Sequence, residues 1–141
     1  NVDAISRIHP VKVSSYADMF RPEVNIPYAI EHLKHIQKCL YNPVFMAYAY
    51  NGGFGFTKRL ITTEGVFGSG EHEPFMSMEL VGNSESREYG KKVLANYVIY
   101  KKILGEEVSI TALLDSLTQP SRSDCFRAEA PVMTTQPAQN E

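Results

Sequence analysis

An all-α domain is what this sequence predicts. Apolar residues recur at three- and four-residue steps through two long stretches, and those stretches carry capping and stop residues where helices need them. A third stretch, Val44 to Tyr50, is apolar on every side and closes on glycines. There is no internal repeat and no convincing β-hairpin signal.

Residues 1–24 mix polar and apolar groups without a sustained period, with Pro10 and Pro22 as punctuation, and read as a short helix followed by a loop. From Ile26 the pattern changes: Ile30, Leu33, Ile36 or Gln37, and Leu40 fall on one face. Asn25 is a suitable cap and Pro27 is tolerated in a first turn, so the expected helix runs from about Pro27 to Leu40. Asn42-Pro43 breaks it.

The segment Val44-Phe45-Met46-Ala47-Tyr48-Ala49-Tyr50 belongs in a core. Over seven residues periodicity does not separate a buried strand from a buried helix, although Ala and Met lean helical. The segment continues into Asn51-Gly52-Gly53-Phe54-Gly55, where glycine admits positive φ and close approach of a backbone or ligand. A helix ending at Tyr50 or Asn51 would present a phenol and an amide at a cleft wall. A further short helix is expected around Phe56 to Ile61, then an exposed loop from Thr62 to Pro74 with three glycines and several charges.

The longest element spans Glu85 to Leu104, about 30 Å. Tyr89, Val93, Leu94, Tyr97, Tyr100, Ile103 and Leu104 form its stripe, with Tyr89, Tyr97 and Tyr100 expected mainly in the core, and four lysines mostly lie off it. Ser84 is the expected N-cap, Glu85 and Glu88 suit the first turn, and Gly105 is the stop. A last short helix is expected from Thr111 to Leu117. Beyond Gln119 the chain is Pro, Ser, Thr, Gln and Asn with isolated apolar residues, too poor in hydrophobic surface to fold. The expected organisation is one domain over residues 1–118 and a flexible tail over 119–141.

Composition narrows the function. At 141 residues the chain is long enough for one real core. Fourteen basic against sixteen acidic residues give a net charge of −2, without a run of Lys and Arg to neutralise phosphates, so nucleic acid is excluded as a partner. No apolar run approaches twenty residues, and the N-terminus lacks the regions of a signal peptide. Asn1 is not an initiator methionine; a fragment is expected, so the missing leader says little about compartment. Cys39 and Cys125 are too few for a disulfide framework or a zinc site and are expected to be two unpaired thiols. His32 and His35 share a helix face, and Glu71-His72-Glu73 is a tempting cluster, yet neither has the His-Glu-x-x-His order or a third ligand at familiar spacing. No metal is assigned.

Two motifs carry a resemblance. One is Ala49-Tyr50-Asn51-Gly52-Gly53; the other is Glu79-Leu80-Val81-Gly82-Asn83-Ser84-Glu85-Ser86-Arg87-Glu88-Tyr89-Gly90, which keeps the spacing of a Glu-x-Ile-Pro-Phe-x-Glu-Thr-Arg-x-Tyr-Val signature. Together they resemble the C-terminal half of the soluble lytic murein transglycosylase domain, in the lysozyme superfamily, over about Met19 to Leu104. The resemblance implies a lysozyme-like fold with Val44 to Tyr50 helical. Gly82 stands in place of the signature's proline, Ser86 of its threonine and Gly90 of its valine.

The family's catalytic acid is a glutamate at a helix end, followed by Gly-Leu-Met-Gln. Neither is found here, so the chain is expected to begin just downstream of the acid, truncated on its N-terminal side, and to be inactive alone. The resemblance gives the rest of the site as follows. Tyr50 orients the catalytic carboxyl, and Glu79 faces the cleft across from it as a charge-stabilising group. Ala49 through its backbone, Asn51, Glu85, Arg87 and Tyr89 bind substrate, with a helix-start charge and a structural ion pair the equal alternative for Glu85 and Arg87.

Glycoside cleavage ordinarily uses two carboxyl groups. In the implied reaction one Glu serves as acid and then base, while the sugar's own hydroxyl closes a 1,6-anhydro ring on N-acetylmuramic acid as its β-1,4 bond to N-acetylglucosamine breaks. The implied partner is the peptidoglycan glycan strand, in the periplasm or envelope, with no metal or organic cofactor. A lysozyme-like hydrolase and a non-catalytic glycan-binding module are the alternatives.

Overall fold

A computed structural model describes residues 13, 15–63 and 65–118. Residues 1–12 and 14 of the stretch 1–24 read as a short helix followed by a loop, and the tail over 119–141, lie outside the described residues. Every regular element described is helical, as the all-α expectation requires: a short 3-10 helix, Tyr16–Phe20, then α1 Pro22–Gln37, α2 Pro43–Gly52, α3 Phe54–Thr62, α4 Phe75–Leu80, α5 Ser84–Ile103 and α6 Ile110–Thr118.

Ser15 caps the 3-10 helix with a reciprocal box: its hydroxyl accepts from Ala17 N–H, and Asp18 Oδ2 accepts from Ser15 N–H at 3.0 Å. α1 starts five residues earlier than expected because Pro22 takes the first helical position, where a missing N–H costs nothing. Asn25 is therefore inside the helix, and its amide donates back to the Met19 carbonyl at 2.9 Å.

α2 forms where the break at Asn42-Pro43 predicts. Asn42 Oδ1 accepts from Val44 N–H at 2.8 Å, while its amide donates to Leu113 C=O and Ser116 Oγ, each at 2.7 Å, fastening α6 beneath the start of α2. Pro43, Val44, Phe45, Ala47, Tyr48 and Ala49 are all buried. With Ile36, Leu40, Ile61, Phe67, Met78, Val81 and Leu117 they form the core. α2 packs above all on α5, and next on α3.

The segment expected as an exposed loop contributes a core residue. Phe67 is fully buried at φ 50°, edge-on to Phe45 with centroids 5.0 Å apart, and its N–H donates to the buried Ser77 hydroxyl at 2.6 Å. A bulky residue in the left-handed region costs free energy, which the burial of its ring offsets. α4, six residues long, is too short for a periodicity to reveal.

α5 begins at Ser84 with Asn83 as its cap in place of Ser84: Asn83 Oδ1 accepts from Ser86 N–H at 3.1 Å. Its expected stripe is covered only in the first half. Tyr100, Ile103 and Leu104 are 65%, 71% and 72% exposed, so Tyr100 is not a core residue. A periodic stripe marks which face is apolar without marking whether anything lies against it. Cys39 also departs from expectation: it is disulfide-bonded and carries no free thiol, while Cys125 lies outside the described residues.

Candidate functional site

The end of α2 and the first turns of α5 form one contact surface. Ser86 and Gly90, four apart and so on one face of α5, are both buried. Gly90 is required there. A Cβ at that position would stand 2.4 Å from Tyr48 Cε1 and 3.1 Å from Cδ1 and Cζ, so only hydrogen lets the helices meet. Gly52 is similarly tight, with Phe56 Cδ1 and Ser86 Oγ both 2.7 Å from where its Cβ would be. Gly53, at φ 91°, ends α2 by donating its N–H to Ala49 C=O at 3.1 Å.

This geometry places Asn51 against α5 with both ends of its amide engaged. Nδ2 donates to Glu85 Oε1 at 3.0 Å, and Oδ1 accepts from Ser86 Oγ at 2.7 Å. Beside it Tyr50 lies parallel to Tyr89, centroids 6.5 Å apart and planes 13° from one another. The His32 ring of α1 covers Tyr50 at 5.4 Å. Burial holds the His32 imidazole below its ordinary pKa, with His35 adding to the effect, and its Nε2 is buried without a hydrogen-bond partner. Burial pushes the Tyr89 phenol up, and Tyr50 adds to that shift.

Glu79 belongs to a second cluster. Its Oε1 pairs with Lys91 Nζ at 2.7 Å, and Lys91 also reaches Glu88 at 3.3 Å. The hydrogen bond from Lys91 to Glu79 raises the ammonium's pKa, and Lys91 and Arg87 together hold Glu88 below the usual carboxylate range. Arg87 Nη1 donates to the carbonyls of Glu79 and Val81, both at 3.4 Å, covering the C-terminal end of α4.

The two clusters occupy different flanks of α5. Glu85 and Tyr89 point one way, Ser86 and Gly90 toward α2, and Arg87 and Lys91 away from the first pair by about 200° of helical rotation. Of the expected site residues, the structure brings together Tyr50, Asn51, Glu85 and Tyr89, and separately Glu79 with Arg87. No hydrogen bond, ion pair or ring contact among the described residues joins Tyr50 to Glu79. The tyrosine whose phenol feels Glu79 is Tyr48, pushed up to about 12 by burial first and by Glu79 next. Its hydroxyl is buried without a partner.

Ala49 is also differently placed. It is 1% exposed with its carbonyl taken by Gly53, so it stands behind the wall made by Tyr50 and Asn51. Sequence reasoning missed the parts played by His32 and Ser86. The sequence suggests His32 only as a metal ligand, and Ser86 only as a replacement within the signature.

Residues 3–70 match the family model described as Transglycosylase SLT domain. Over this stretch the chain is similar to the SLT transglycosylase family. Comparison with curated proteins returns no match. The SLT match contains Ala49, Tyr50 and Asn51 and reaches further toward the N-terminus than the resemblance beginning near Met19; Glu79, Glu85, Arg87 and Tyr89 follow it. The SLT family acts on peptidoglycan. No helix among the described residues is long and apolar enough to cross a membrane.

Proposed function

We propose that this SLT domain serves a peptidoglycan lytic transglycosylase, and that Tyr50, Asn51, Glu85 and Tyr89 form the wall that holds the glycan strand. The observation that carries the reading is the Asn51 amide, fixed between Glu85 and Ser86 beside two parallel phenols, with Tyr50 and Asn51 inside the matched segment. A tyrosine ring offers an apolar face for a pyranose and a hydroxyl for its polar edge. An amide and a carboxylate supply the donor and acceptor that an N-acetyl group needs.

In the proposed reaction the β-1,4 bond between N-acetylmuramic acid and N-acetylglucosamine breaks as one glutamic acid protonates the leaving oxygen. The same group then takes the proton of the sugar's 6-hydroxyl as the 1,6-anhydro ring closes. No Asp or Glu among the described residues is buried, the setting in which a carboxyl stays protonated at neutral pH, so the reading assigns this acid outside them. Tyr50 orients that acid; Glu79, on the other flank of α5, pairs with Lys91 at the end of α4. Arg87 keeps that end in place. The disulfide at Cys39 suits an oxidising compartment and supports a periplasmic or envelope location.

A glycan-binding module is the second reading, favoured by the same lack of a buried carboxylate. Incubating the chain with purified sacculi and analysing soluble products by mass spectrometry separates the possibilities. The expected result is retention on sacculi, weakened by Asn51→Ala, with little release by this chain alone. Any release carries 1,6-anhydro ends. Reducing ends would replace the reading with a lysozyme-like hydrolase, and sacculus binding indifferent to Asn51→Ala would remove the proposed wall. Retention on sacculi with no soluble product even after prolonged incubation leaves the module reading instead.

A further inference from the structure

α4 turns an apolar face outward. Phe75, Met76 and Leu80 are 59%, 51% and 69% exposed while Ser77 and Met78 face the core. Phe75 and Met76 line a cavity of about 410 Å³ together with Glu71, His72 and Glu79. No Lys or Arg lines it. Glu71 has no hydrogen-bond or ion-pair partner among the described residues, and Lys91 holds only Oε1 of Glu79, leaving Oε2 uncommitted. Methylene-sized apolar surface beneath two carboxylates is complementary to a flexible aliphatic chain ending in an ammonium, which buries its stem and keeps its charge at the rim.

Resting on the transglycosylase reading above, we infer that this cavity is a subsite for the amine-bearing side chain of the short peptide carried by the glycan strand. The ammonium sits between Glu71 and Glu79 Oε2, and the methylenes lie on Phe75 and Met76. Glu79 joins the subsite to α5 through Lys91, so a strand lying along the Tyr50 wall would carry its peptide around the end of α4.

The test is calorimetric titration of the whole chain with three muropeptide oligomers: one without peptide, one whose peptide ends in a free side-chain ammonium, and one with that amine acetylated. The amine-bearing ligand is expected to bind at least fivefold more tightly than the other two. Glu71→Gln and Met76→Ser, each at an exposed position outside the proposed wall, are expected to remove that advantage and leave the peptide-free ligand unchanged. Equal affinity for the amine-bearing and acetylated ligands overturns the subsite while leaving the glycan reading intact. Failure of all three to bind overturns the glycan reading, and the subsite with it.

Discussion

Replacing Gly90 with alanine is the sharpest test of the contact that positions the candidate wall. Alanine is ordinarily the better helix residue, worth about 0.5–1 kcal/mol over glycine in a helix interior. Here its methyl would lie 2.4 Å from Tyr48 Cε1. Carbon pairs rest near 3.5–4.0 Å, so the ring or the helix must yield by roughly 1 Å or more. The ring has nowhere to go, being fully buried and inclined at 64° to Phe45 at 6.4 Å. Overpacking of this kind costs about 1–3 kcal/mol.

Subtracting the helix gain leaves a net loss centred on about 1 kcal/mol, a fall in Tm of a few degrees for a domain of this size. Urea unfolding followed by circular dichroism measures it. Gly55→Ala is the control, since its Cβ would meet only Arg59 Nη1 at 3.8 Å, and its stability should hold or rise. Pairing Gly90→Ala with Tyr48→Leu should recover about 1 kcal/mol as favourable coupling. Gly90→Ala as stable as the parent, or strictly additive with Tyr48→Leu, would refute the close approach as drawn.

Other outcomes follow from the same surface. Tyr48→Phe removes a buried hydroxyl that has no partner, so stability at neutral pH should be equal or higher by up to about 1 kcal/mol. With the Tyr48 pKa raised to about 12 in the folded state, its contribution is intact below about pH 10, the ordinary value, and lost as pH climbs through 12. Alkaline unfolding curves of Tyr48→Phe should therefore fall less steeply across that interval than the parent's. Asn51→Asp replaces a donor 3.0 Å from Glu85 Oε1 with a second carboxylate, and should cost about 1 kcal/mol at pH 7, read by urea unfolding, through the lost hydrogen bond and the like charge. Alkylation and peptide mapping should label Cys39 only after reduction; labelling of the native chain would contradict its pairing.

What could be read from the chain alone divides along physical lines. The break at Asn42-Pro43 and the positive-φ stop at Gly53 are local, and they bounded α2 well. The cap of α5 slipped by one residue, from Ser84 to Asn83, because both side chains suit the role and only the turn before them decides. Pro22 and Pro27 fit a first turn equally in sequence, and the helix took the earlier one. The grouping of Tyr50 and Asn51 with Glu85 and Tyr89 comes from the family resemblance alone, since spacing along the chain does not bring α2 against α5. The separation of Glu79 does not, since it depends on which side of α5 the six-residue α4 approaches. Nor does the covering of Tyr48 and Phe67, or the half-empty stripe ending at Leu104, because sequence period fixes a face without naming what lies opposite.

Asn51 keeps one N–H and one carbonyl lone pair beyond its bonds to Glu85 and Ser86. Because those two bonds pin both ends of the side chain, its rotamer freedom is lost on folding, and the remaining donor and acceptor stand fixed in space for whatever meets them.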